Sequence, residues 1–394
     1  MNKISHLSNS RAIFTGAVLG LALAASPIAR AQLAVSVNDN KAVLDNGTVR
    51  AVANPAPDTI SLLDLSVFPP KVVAEIDAAG SVQGPPLSVA ITPDESLALV
   101  TVAQRIEGGR LVADNRLLVV DIAARPPVVI ETLRTGLAPA GVSISANGTF
   151  AMVANRGDGT VGLFTIAGRR VTPAGSVLLG NAKSGPSHVA ITPDGRRALV
   201  TRDGDNRVSF LAFDDKRQLY DTGYSLATGS RPYGIDISRD GLHAAVANIG
   251  TGDGKSDTVS LIDIDAKVPA VLHTLAVGQT PEGILFSPSG KHVAVVVMNG
   301  SNKQADSPHY APNGRLVMLR VDGGKLRRVA SARIGKWSQG VAFSPNGRLV
   351  MVQNMVEKTI QLLRWQEFDE DLSDTEQVLT MRGGPAAIRT ATRP

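Results

Sequence analysis

"GPSHVAITPDGRRALVTRDGDNRVSFLAF" runs from Gly185 to Phe213. It reads as an apolar strand, a Pro-Asp-Gly turn, a second apolar strand, a polar loop and a third strand. In the turn, Pro presets φ, the Asp side chain closes the bend, and Gly accepts positive φ. The same phrase recurs as "GPPLSVAITPDESLALVTVA" from Gly84, "EGILFSPSGKHVAVVVMNG" from Glu282 and "QGVAFSPNGRLVMVQN" from Gln339. In the copy at Gly84, Glu95 stands where the others have the turn Gly.

The third strand counts the units. It appears seven times: "DTISLLDL" (58–65), "RLLVVDI" (116–122), "TVGLFTI" (160–166), "RVSFLAF" (207–213), "TVSLIDI" (258–264), "RLVMLRV" (315–321) and "TIQLLRW" (359–365). From Thr59 to Thr359 the starts are 57, 44, 47, 51, 57 and 44 residues apart. Apolar runs without clean alternation are what strands covered on both faces look like. The N-terminal unit, read around "GTVRAVANPAPDTISLLDL", has no first strand ahead of it. "GGPAAIRTA" from Gly383 supplies it, with Ile388 falling 47 residues after Val341. The expectation is an all-β, seven-bladed propeller of four-stranded antiparallel blades. The C-terminal strand closes the ring and protects its edges.

Lys3 and Arg11 precede the apolar run Ala12–Ala25, and Ala29 and Ala31 have the small-x-small spacing of a cleavage site. This predicts a signal peptide over residues 1–31, one propeller domain over 32–394, and a periplasmic or secreted protein with no membrane span after cleavage. The chain holds 40 basic and 35 acidic residues; loss of Lys3, Arg11 and Arg30 leaves 37 basic, so the net charge drops from +5 to +2. That balance argues against nucleic acid as a partner. With no Cys there is no disulfide and no thiolate metal site.

The phrases "Pro-Asp-Gly", "VAN" at Val52–Asn54, Val153–Asn155 and Val246–Asn248, and "DTVSLIDI" from Asp257 carry a resemblance to the YVTN-repeat, lactonase-like propellers, which are related to the cytochrome d1 type. It covers roughly residues 45–390. The fold it implies hosts enzymes, cofactor carriers and binding modules, so function must be argued from the site.

Blade topology sorts the residues. Those opening the first strands and those following the second strands share one face; the Pro-Asp-Gly turns lie on the other. The first set is Leu87, Ala140, His188, Tyr233, Glu282, Gln339 and Ala386, with Arg231 and Trp337 just ahead of two of them. The second set includes Asn54, Asn155, Arg156, Arg202, Asp203, Asn248, Asn299 and Asn354, the repeated Asn reading as turn formers. Loops over Gln104–Asn115, Ile249–Asp257 and Gly300–Asn313, the last carrying His309, are expected on the same face. The candidate ligand-binding residues are therefore His188, Arg202, Arg231, Tyr233, Glu282, Gln339 and His309. Only two histidines on this face make a three-His zinc site a poor fit, and no metal or cofactor is assigned.

Three readings follow. The main one is a monomeric exported propeller that binds a small molecule or a protein through its loop-bearing face. The alternative, implied by the resemblance, is hydrolysis of a small lactone: His188 or Glu282 as the base, with Arg231, Arg202 or Arg156 holding the carboxylate. The third is a tetrapyrrole carrier with His188 as axial ligand. "NIGTGDGKSD" (248–257) lacks the spacing and following helix of a phosphate loop, and no Gly-x-Ser-x-Gly elbow occurs. The acidic segment 366–377 reads as a solvated excursion before the closing strand.

Overall fold

A computed structural model of the chain describes residues 32–391; the expected signal peptide lies outside the described residues. Seven four-stranded antiparallel sheets follow one another around a ring. The fourth blade shows the plan, with Pro186–Ile191 innermost, then Arg197–Arg202, Arg207–Phe213 and the outer Leu219–Leu226. The first blade takes its innermost strand, Gly384–Thr390, from the C-terminus and its second, Leu33–Asp39, from the start of the described chain. Closure is therefore as the repeat count predicts.

The core lies between the blades. Seven apolar clusters occur at blade junctions, one per junction, including that of the seventh with the first. In that last one Met351, Ile360 and Leu362 pack with Ala34, Leu63 and Ile388. Both faces of each inner strand are covered, which is why the apolar runs do not alternate. The outer strands do alternate; Ala270–Gly278 shows an exposed residue at every second place over most of its length.

Polar ties add to this packing. Thr101 and Thr201 on second strands donate their hydroxyls to the Ala140 and Tyr233 carbonyls of the next blade. Gln353 does the same across the closure, donating to the Ala387 carbonyl at 2.9 Å. In the turns, the Asp194 carboxylate accepts from the Thr192 hydroxyl and the Arg196 N–H. Glu95, the residue without its Gly, adopts φ 57° and accepts the Leu33 N–H at 3.3 Å, so the irregular turn gains a contact to the first blade.

Three expectations are corrected. The second strand of the first blade is Leu33–Asp39; the "VAN" ending at Asn54 directly follows an extra hairpin, Ala42–Asp45 with Thr48–Ala51, and is no blade strand. Asn38, paired with Thr59, is the true counterpart of Asn155, which pairs with Thr160. The 104–115 segment forms no loop but prolongs two strands, Leu97–Glu107 and Arg110–Asp121, about a turn at Gly108 and Gly109. The acidic segment forms most of the outer strand Asp371–Thr380, and Glu370 pairs with Arg320 at 3.2 Å and Arg327 at 3.0 Å in the sixth blade.

Candidate functional site

Every inner strand from the third blade to the seventh opens with a break in its pairing register. In the fourth blade it falls between Pro186 and His188. Just ahead, Ala138, Arg231, Thr280 and Trp337 have φ between 47° and 54°, and Gly185 takes the same place with φ 59°. This left-handed step costs a non-glycine residue about 1–2 kcal/mol, and such strain collects at functional sites.

Counting back two places from Val189, Ile235, Ile284 and Val341, which pair with Val200, Val246, Val295 and Val352, gives Ser187, Tyr233, Glu282 and Gln339. The fourth-blade member of this ring is Ser187, one residue before His188. His188 falls instead at the position of Gly141, Gly234, Gly283 and Gly340. A Cβ on Gly141 would stand 2.3 Å from the His188 ring, which fills that space. The imidazole is 1% exposed, its Nδ1 is 2.8 Å from the Ile235 carbonyl, and burial with the nearby Arg389 charge pushes its pKa down to about 3. It is a neutral group wedged between blades.

Ser187, Tyr233 and Glu282 meet a charged cluster. Arg156, following the second strand of the third blade, reaches Asp203 in the fourth with both amino groups, at 3.0 and 3.1 Å. It also donates to the Ser187 hydroxyl, which bonds Asp203 at 3.0 Å. Arg231 of the fifth blade reaches Asp203 at 3.3 Å. The Arg156 guanidinium lies 5.4 Å from the centre of the Tyr233 ring, a cation–π distance. Asp203 has 5% of its side chain exposed, Arg156 19% and Arg231 46%, so Arg231 is the cation most open to a ligand.

Glu282 enters from the sixth blade, half-buried in the wall. Burial pushes its carboxyl up to about 8, against the lowering pull of Arg231 and Arg156. Tyr233 is likewise raised, chiefly by burial, and stays a protonated donor. A carboxyl held well above its usual range, a phenol and two guanidiniums thus lie within electrostatic reach of one another. Such a set can move a proton and stabilise an oxyanion or carboxylate.

The other candidates are placed elsewhere. Arg202 turns to Asp205 at 3.4 Å. Gln339, in the ring but 1% exposed, donates to the Trp337 carbonyl. His309 is exposed on the 300–313 loop, its ring in the space a Cβ on Gly254 would occupy. That loop joins the neighbouring one through Lys303 Nζ and the Gly252 carbonyl, 2.7 Å apart, and the extra hairpin through Ala305 N–H and Asn46. The repeated Asn are structural: Asn155 links Thr135 to Thr160, and Asn248 links Thr228 to Thr258. Among the described residues no group of three or more His, Asp or Glu side chains is placed to hold a metal.

Residues 142–305 match the family described as "Lactonase, 7-bladed beta-propeller". That stretch contains Arg156, Ser187, Asp203, Arg231, Tyr233 and Glu282. No curated protein matches the chain. A putative 6-phosphogluconolactonase from Bacteroides fragilis is similar with TM-score 0.70 and 15% identity over 93% of this chain and 99% of that one. The periplasmic gluconolactonase of Pseudomonas aeruginosa gives 0.67 and 19% over 92% and 100%. Hydrazine synthase of Kuenenia stuttgartiensis gives 0.59 and 17% over 80% and 92%. At these identities the structural likeness establishes the fold alone, a seven-bladed propeller.

Proposed function

We propose that this lactonase-like propeller hydrolyses a small lactone at the loop-face mouth of its tunnel, and that the binding-module reading is second to it. The observation that carries this is the meeting of Glu282, Tyr233, Arg231 and Arg156 within electrostatic reach of one another. The family match over the blades that supply them supports the same reading.

Glu282, as carboxylate, takes a proton from water as the oxygen attacks the lactone carbonyl. The carbonyl oxygen gains charge, which Arg231 stabilises. The ring C–O bond then breaks, and the leaving oxygen takes the proton back from Glu282. The product is a hydroxy acid whose carboxylate suits the bidentate geometry of a guanidinium. Asp203 acts as a positioning residue, holding the two arginines that reach it from the blades on either side. His188 takes no part. Ligand recognition without turnover draws on the same residues. Residues 1–31 support an exported location, which N-terminal sequencing of the mature protein would test.

A panel of sugar-acid and aromatic lactones, assayed with wild type and Glu282→Gln, tests the proposal. Turnover of at least one lactone that the variant loses supports it. No hydrolysis above buffer across the panel overturns it. Saturable binding of the hydroxy acids without turnover would establish the binding module instead.

A further inference from the structure

The opposite mouth of the tunnel has chemistry of its own. One place before their turn-face ends, the inner strands carry Ala90, Ser143, Ala190, Asp236, Leu285, Ala342 and Arg389. Five are small or apolar and two are charged. Asp236 is in the fifth blade and Arg389 in the first, with two blades between them on the shorter way round the ring. Both line a cavity of about 460 Å³ that opens among the Pro-Asp-Gly-type turns. Its walls are otherwise mostly apolar, including Ile144, Ile191, Ile237, Leu285, Phe286 and Phe343.

Arg389 is the unusual member. Among the described residues no carboxylate lies within ion-pair distance of it, and its Nη1 is buried without a hydrogen-bond partner. Burial pulls its pKa down while Asp236 pulls it back up, so the two charges feel each other without touching. Asp236 accepts the Phe286 N–H at 2.8 Å, and burial pushes its carboxyl up to about 6. The cavity's hydroxyls are already engaged: Ser143 donates to the Val189 carbonyl, Ser238 to Asp240 and Ser344 to Asn346. His188, wedged between blades near Arg389, is neutral, and Arg239 also lines the cavity. An unpaired guanidinium in an apolar chamber costs desolvation energy that an incoming anion offsets. The volume falls within the range of small-molecule sites.

We propose that the turn-face cavity is a second ligand site, distinct from the loop-face cluster, that takes a small organic carboxylate with an apolar body. The carboxylate pairs with Arg389 and the hydrocarbon lies against the ring of Ile and Phe side chains. Asp236 opposes the anion and sets the selectivity: its charge weakens carboxylate binding and favours ligands whose negative end stays on the Arg389 side.

The test is isothermal titration of the full folded protein with hexanoate, using methyl hexanoate and hexylammonium as controls. Hexanoate should bind one site per chain and beat both controls. Arg389→Met should weaken it by at least about tenfold, the loss of a charge-assisted hydrogen bond. Asp236→Asn should tighten it several-fold. Glu282→Gln should leave it unchanged, which separates this site from the proposed hydrolase. Should Arg389→Met not fold, Arg389→Lys keeps the charge but loses the fork, and it and Asp236→Asn must still move affinity in opposite directions. Wild type binding hexanoate no better than its methyl ester overturns the proposal. So does hexanoate binding that survives Arg389→Met but disappears in Arg231→Ala.

Discussion

Arg156 and Asp203 meet across the boundary of the third and fourth blades, two amino groups facing two carboxylate oxygens at 3.0 and 3.1 Å. Asp203 also holds Arg231 of the fifth blade, so one buried carboxylate fixes two cations from either side. Asp203→Ala leaves Arg156 largely buried without its partner. We expect a stability loss of about 1–3 kcal/mol, below the cost for a fully buried pair because both arginines retain solvent contact. Denaturant melts check this. Lactone turnover should fall in parallel, while Asp203→Asn, which keeps the shape, should retain more stability than activity.

Glu282 predicts the pH dependence. Its folded-state pKa, near 8, lies above the ordinary 4.5. As a base it must be ionised, so kcat/KM should rise with pH and level off above about 8; a profile falling over that range would assign it the opposite role. The stability effect has the other sign. A raised carboxyl favours folding fully below pH 4.5, and this contribution is lost as pH climbs toward 8. Glu282→Gln should therefore be more stable than wild type at pH 8 by roughly 1–3 kcal/mol, and indistinguishable from it near pH 4, by urea unfolding at both values.

Arg231 couples strain to function. It holds φ 54° just ahead of its inner strand, where the fourth blade has Gly185. Arg231→Gly removes both the strain and the guanidinium. The melting temperature should hold or rise while hydrolysis or carboxylate binding is lost, a trade expected where a site stores backbone strain. A lower melting temperature together with full activity would contradict it.

The closing strand predicts a large stability effect. Truncation after Arg382 removes Ala386, Ala387 and Ile388, all buried, together with the carbonyl that Gln353 binds. Burial of a residue such as Ile388 alone contributes about 1.5–3 kcal/mol. The truncated chain should melt far below the parent or fail to fold, as scanning calorimetry would show. Equal heat resistance would mean that the ring does not depend on its C-terminus.

How much of this was legible depended on what repeats. The turn phrase and the third strands, from "DTISLLDL" to "TIQLLRW", recur because every blade must bury the same faces, so blade number and closure could be counted. Tyr233, Glu282 and Arg231 stood out as departures from the repeat. Ser187 was legible as well, two places before Val189 as Tyr233 is before Ile235, but it was passed over for His188, which stands where the other strands carry Gly. Asn54 was mistaken for Asn38 because a copy of the "VAN" phrase follows the extra hairpin outside any blade strand. Asp236 and Arg389 were visible as charges inside apolar strands, in "GIDIS" and "AIRTA", but nothing local marked them as facing one chamber.

By itself, the sequence determined the all-β class, the seven units, the completion of the first blade by the last strand, and which end of each strand lies near the loops. These follow from periodicity, turn chemistry and counting, which are local. Only the tertiary structure decided which charges meet. Arg156, Asp203, Arg231 and Glu282 come from four blades, as much as 126 residues apart, and ring closure alone sets the distances between them. The energies that shift Glu282 and leave Arg389 unpaired depend on burial and on those distances, which no short stretch of chain contains.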